Sequence, residues 1–178
     1  MNVYVDASTL IALGTVGELG LLHAFDGDIV VPERVQAEVT TQPAAENLRR
    51  FQPDDERSHE ESAESPGITV DEADHERATS ILDEAEQNGD TTIIAGVLAH
   101  RDTGMSVGVV SDDRRVRRVA DGLGATVTGT VGTVVRNVAD GELDAEEAKS
   151  LVRGIDDNGL HMTGELREKA YELIDDAA

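Results

Sequence analysis

The feature that most limits how this chain can fold is a recurring pair: a short apolar run that stops at a polar residue, followed by a helical pattern. Val3-Tyr4-Val5 ends at Asp6 ahead of a helix beginning near Ser8, and the runs at 29–31, 68–70, 107–110 and 125–127 are also followed by helical stretches. Short runs rich in β-branched residues and bounded by turn signals fit strands buried on both faces. Helical segments between them supply the crossovers that parallel strands need. The expected fold is therefore α/β, with three layers, α/β/α, around a mostly parallel sheet of about five strands.

Beyond Gly141 the pattern changes to two helices, 144–155 and 163–174. Asp144 and Thr163 are good N-caps, and Glu147 completes a capping box for the first. These residues, 141–178, predict a C-terminal helical hairpin packed on a main domain of residues 1–140. Residues 52–66 are acidic, serine-rich and flanked by prolines, and they read as a mobile surface insertion.

The chain carries 37 acidic residues against 15 basic ones, only two of them lysines, for a net charge of -22. The excess is scattered over predicted solvent faces and loops and forms no single tail. It reads as a surface suited to molar salt, where screening shortens the Debye length to a few ångströms. Acidity of this kind does not exclude a nucleic-acid substrate. The absence of cysteine rules out disulfides and thiolate metal sites. With no signal-like start and no apolar stretch of membrane-spanning length, a soluble, cytoplasmic protein without a membrane partner is expected.

Four acids stand apart from this solvated excess because each falls at a junction. Asp6 follows the first strand, Glu38 lies in the helix after the second, Asp90 opens a helix, and Asp113 follows the central strand. Each has an ordinary explanation. Asp90 and either Asp112 or Asp113 suit helix N-termini, and Glu38 alone reads as a solvated helix residue. Asp6 is harder to dismiss, since an unpaired carboxylate at the end of a buried strand is costly. Positions after parallel strands face one edge of a sheet, so the topology can gather acids distant in sequence. Carboxylates converging without cysteine or histidine suit a hard cation, Mg²⁺ or Mn²⁺.

The pieces Val3-Tyr4-Val5-Asp6-Ala7-Ser8-Thr9-Leu10-Ile11, Val31-Pro32-Glu33-Arg34-Val35-Gln36-Ala37-Glu38-Val39, Gly89-Asp90 with Ile93 and Ala99, and Val109-Val110-Ser111-Asp112-Asp113-Arg114 resemble the PIN-domain nucleases. Val127-Thr128-Gly129-Thr130-Val131-Gly132 and Gly159-Leu160-His161-Met162-Thr163 resemble a subgroup with an added C-terminal helical hairpin. The resemblance implies a PIN-like fold and a Mg²⁺- or Mn²⁺-dependent ribonuclease acting on RNA. Such proteins are often the toxin of a toxin–antitoxin pair, which would add an antitoxin protein as partner; a homodimer is also open. Carried over, Asp6, Glu38, Asp90 and Asp113 are the metal-binding acids, with Asp112 an alternative for the last. Ser8 and Ser111 are supporting hydroxyls. The basic cluster Arg114, Arg115, Arg117 and Arg118 offers phosphate contacts, Arg114 and Arg115 first, although pairing with nearby acids explains it equally well.

Two other readings compete. A phosphatase or phosphotransferase with Asp6 as nucleophile usually has a second aspartate two residues later, where this chain has Ser8. A non-catalytic PIN-like module that binds RNA or a protein would retain the fold with the acids only partly functional.

Overall fold

A computed structural model of the chain describes residues 1–51, 68–159 and 162–178. Four parallel strands, β1 (Asn2–Val5), β2 (Asp28–Val30), β3 (Val107–Val110) and β4 (Thr126–Thr128), form one sheet in the order β2-β1-β3-β4. Val5 pairs with Val110 and Val110 with Thr128, so β1, β3 and β4 end in register. The chain leaves β1 toward β2 on one side and leaves β3 toward β4 on the other. The carboxyl ends of β1 and β3 therefore flank the point where the strand order reverses, the position where open α/β sheets bind ligands.

The helices are α1 (Ala7–Val16), α2 (Glu33–Glu38), α3 (Ala44–Phe51), α4 (Glu72–Leu82), α5 (Gly89–Thr103), α6 (Arg114–Gly122), α7 (Thr130–Ala139), α8 (Ala145–Asp157) and α9 (Gly164–Ala177), with a 3-10 turn at Leu19–Ala24. The α5 and α6 helices contact one face of the sheet. On the other face α7 lies across Val3, Val110 and Thr128, with α1 beside it and α8 and α9 outside. This is the expected three-layer arrangement. Asp144 and Thr163 cap α8 and α9, and Glu147 completes the box on α8. Among the described residues no helix is long and apolar enough to cross a membrane. The acidic insertion expected at 52–66 lies outside the described residues.

The sheet has one strand fewer than expected. Residues 68–70 are extended but pair with no described strand; Ile68 is buried at 5% exposure, and Asp71 then caps α4. A three-residue apolar run looks the same whether it joins a ladder or anchors a helix lead-in, and sheet partners decide which. The first helix also begins differently: its N-cap is Asp6, not Ser8.

Core packing fixes how α5 sits on β1. Tyr4 lies against Gly96, where an added Cβ would fall 2.4 Å from the ring Cζ. His100 meets the same ring edge-on at a centroid distance of 5.7 Å, with its Nδ1 2.7 Å from the Gly96 carbonyl oxygen. Burial pushes the Tyr4 hydroxyl up to about 12. Replacing Gly96 with Ala improves helix propensity by about 1 kcal/mol, but the clash forces a buried ring to move at a cost of about 1–3 kcal/mol. Gly96→Ala is expected to lower the stability measured by urea unfolding, and a variant as stable as wild type would show that the contact is looser than described.

Candidate metal-binding acidic edge

Asp6 directly follows β1, and its amide still donates to the Val110 carbonyl at 2.9 Å, so the sheet itself fixes its position. Although it is the N-cap of α1, its carboxylate makes no capping hydrogen bond. Its Oδ2 accepts the hydroxyls of Ser8 at 2.7 Å and Ser111 at 2.8 Å instead. No donor among the described residues bonds to Oδ1. Ser111, fully buried beyond β3, also accepts the Asp113 amide at 3.1 Å. The two serines thus orient Asp6 and tie the ends of β1 and β3 together.

Asp90 lies in the first turn of α5 but is not its cap. Asn88 has that role, in a reciprocal capping box with Thr91. Burial pushes the Asp90 carboxyl up to about 6; the negative charges of Asp6 and Asp113 push the same way, and Arg115 pulls it partly back. Three acids spread over more than a hundred residues of sequence therefore act on one another at a single edge. Arg115 lies 3.4 Å from Asp90 Oδ2, pairs also with Glu84, and donates to the Leu82 carbonyl at 3.1 Å.

Glu38, at the end of α2, is exposed, and its Oε1 accepts the Gly89 amide at 2.9 Å. A Cβ on residue 89 would sit 2.7 Å from that oxygen, so a glycine permits the approach. Glu38 thereby reaches the same helix N-terminus as Asp90. Asp112 points elsewhere: its carboxylate accepts the Thr130 amide at 2.9 Å and the Thr130 hydroxyl at 2.5 Å, at the start of α7. Asp113 caps α6 through the amides of Arg115 and Val116, and its charge is the one that reaches Asp90.

Of the arginines expected to face phosphate, Arg114 is exposed and has no carboxylate partner among the described residues, whereas Arg115 is engaged with Glu84 and Asp90. Arg117 donates to the Ser111 carbonyl at 2.7 Å, which holds it against the end of β3. The sequence signal for Arg117 was its spacing from Arg114, since residues three apart share a helix face.

Among the described residues no three acid or imidazole side chains stand close enough to hold one ion directly. The donors at the edge are nonetheless all oxygen, and burial first, with the charges of Asp6 and Asp113 adding to it, raises the Asp90 carboxyl more than Arg115 lowers it. A hard ion that keeps several waters and takes one or two carboxylates directly suits this arrangement; an ion that prefers thiolate or imidazole does not.

Two consequences are measurable. The folded protein holds the Asp90 proton more tightly than the unfolded chain does, so the stability contributed by this group falls as pH rises from 3.8 to about 6. Ionising Asp90 above that range costs folding free energy, less than about 3 kcal/mol once solvent screening is counted, and Asp90→Asn removes the cost. In the absence of divalent ions the variant should melt higher than wild type at pH 7.5, with the gap closing toward pH 4; a gap independent of pH would contradict the account of a carboxylate disfavoured by burial and by its acidic neighbours. Asp112→Ala, by contrast, strands the α7 N-terminus and the buried Thr130 hydroxyl and should cost about 1–3 kcal/mol at neutral pH. Chemical denaturation measures this, and an unchanged midpoint would remove Asp112 from its structural role.

A family model described as a PIN domain matches residues 2–176. No curated protein and no solved structure matches the chain. PIN domains are generally nuclease-like, and PIN-domain nucleases generally use divalent metal ions. The match runs from β1 through α9, the same span that builds the sheet, the acidic edge and the outer helices, and on that ground the chain belongs to the PIN-domain family.

Proposed function

We propose that the chain is a Mg²⁺- or Mn²⁺-dependent endoribonuclease that hydrolyses RNA phosphodiester bonds at the edge formed by Asp6, Glu38, Asp90 and Asp113. The observation that carries this reading is the mutual action of Asp6, Asp90 and Asp113 at the point where the strand order reverses, with Asp6 kept out of helix capping by Ser8 and Ser111. Structural acids are normally paired or used as caps; a buried carboxylate held by hydroxyls beside two other acids suits a cation better than it suits the apoprotein.

In this reading Asp6 and Asp113 hold the ion, Asp90 joins from the facing helix, and Glu38 contributes from beside Gly89, directly or through water. Ser8 and Ser111 donate to Asp6 Oδ2 and leave Oδ1 without a donor among the described residues. An ion held here would supply positive charge for the scissile phosphate and would lower the pKa of a nearby water. Arg114 and Arg117 hold the flanking phosphate, while Arg115, itself paired with Glu84, contacts Asp90 directly. Asp112 supports α7 and takes no part in the chemistry. Ser8 bonds to Asp6 where the phosphotransferase reading needs a second acid, which counts against that reading.

One observation favours a second reading, a non-catalytic RNA- or protein-binding module: no preformed trio of ligands exists among the described residues. Two measurements separate the readings. Wild type at molar salt with Mn²⁺ should cleave single-stranded RNA, and Asp6→Asn should lower the rate at least 100-fold, the order of loss expected for a charge-stabilising ligand. Saturating Mn²⁺ at about 100 times its Kd should stabilise wild type by about 2.7 kcal/mol and leave Asp6→Asn unmoved. RNA cleavage by the variant at the wild-type rate, or equal Mn²⁺ stabilisation of both proteins, would remove the catalytic assignment. The toxin role and an antitoxin partner belong to this proposal through the resemblance alone; co-expression with the neighbouring reading frame tests them, with relief of growth arrest as the expected result.

A further inference from the structure

The acids outnumber the bases more than twofold, so a basic side chain in this protein has a surplus of partners. Most use it. Among the described residues only Arg34, Arg114, Arg117, Arg118 and Arg153 lack a carboxylate partner, and three of these five lie on α6. Arg34 is satisfied by Gln87. The cations left over are therefore concentrated on the helix that follows Asp113.

Arg114 and Arg117 line a groove of about 410 Å³ that opens beside Asp112, at the same carboxyl edge as the candidate site. That volume falls in the range of ligand pockets. Its other wall is apolar and comes from the α7 start, the residue before the α9 cap and α9 itself: Val131, Met162, Leu166 and Leu173. Leu166 and Leu173 are two turns apart on one face of α9 and remain 45% and 38% exposed, whereas Ala170 and Ile174 of the same helix are buried in the core. The wall is thus a solvent-facing apolar stripe opposite two guanidinium groups that no carboxylate neutralises among the described residues, Arg117 being held in place by the Ser111 carbonyl.

We propose that this groove, between α6 and the C-terminal hairpin, binds a nucleotide of single-stranded RNA adjacent to the scissile phosphate, the backbone on Arg114 and Arg117 and the base against Met162, Leu166 and Leu173. The proposal rests on the nuclease reading for its link to a scissile phosphate. Charge selects the occupant: an anionic strand meets arginines that no carboxylate neutralises, while an apolar base meets the leucine stripe. Guanidinium groups both hold phosphate and stack on bases. Bases in a duplex are already stacked and cannot enter, so the groove discriminates for single strands. Few hydrogen-bonding groups line it, which makes it a site of affinity and strand selection more than of sequence readout.

The test measures binding of a fluorescein-labelled 12-nucleotide single-stranded RNA by anisotropy, with EDTA present so that cleavage plays no part. Leu166→Ser/Leu173→Ser and Arg114→Gln/Arg117→Gln should each weaken binding on the order of tenfold, and the serine pair should affect the matching duplex less. Circular dichroism and melting establish that both variants fold, and Leu166→Ser alone, at an exposed position, serves if the double variant does not. A 4-thiouridine cross-link should map to the peptides containing Met162 or Leu166.

Undetectable wild-type binding, wild-type binding by the serine pair, or cross-links confined to other elements would overturn the proposal. So would a serine pair that converts a dimer to a monomer in sedimentation velocity while binding RNA normally; the stripe would then be an interface between copies. Binding through the groove without Mn²⁺-dependent cleavage would sink the nuclease reading and leave the groove standing. Intact cleavage with unaffected binding would do the reverse.

Discussion

Parallel strands all end on the same side, and the site depends on that constraint more than on any single residue. Here β1 and β3 are neighbours that end in register, and the residues following them, Asp6 and Ser111, are joined by a hydrogen bond across the crevice where the strand order reverses. The α5 helix, set on β1 by the Tyr4–Gly96 contact, brings Asp90 to the same place from the facing layer. Negative charge collects there because of the topology, and its cost adds to that of burial in the raised Asp90 carboxyl. Positive charge from outside the chain relieves that cost, which links the fold to the proposed chemistry.

The hydroxyls and the neighbouring caps keep the acids available. An aspartate at an N-cap ordinarily spends its carboxylate on helix amides. Asp6 does not, because Ser8 and Ser111 hold it, and Asp90 need not, because Asn88 and Thr91 cap α5 by themselves. Asp112 and Asp113 divide the two tasks at the end of β3: one fastens α7 through Thr130, the other caps α6 while its charge reaches Asp90. The acids that look alike in sequence differ in what already satisfies them.

Much of this was legible in the sequence, and the parts that were not have physical reasons. Asp6 stood out because a strand ended on it, and the parallel α/β layers followed from short apolar runs alternating with helices. The division between Asp112 and Asp113 was not legible, since both suit a helix start and only the path of α7 decides which way each turns. Residues 68–70 read as a strand because local composition does not report whether a sheet partner is present. For Arg115 the sequence left phosphate contact and pairing with acids equally open; the structure gives it Leu82 at the end of α4, Glu84 in the turn after it and Asp90 on α5, contacts that no local pattern encodes. Arg117 stood in the basic cluster, but only the packing of α6 shows that it shares a groove with Arg114 opposite α9.

The most direct test of the central claim is anomalous diffraction from a crystal of the wild-type protein soaked in Mn²⁺. The account predicts one strong peak at the ends of β1 and β3, within direct or single-water reach of Asp6 and Asp113 and facing Asp90. A saturated crystal with no peak at that edge, or with manganese bound only elsewhere on the acidic surface, would contradict it.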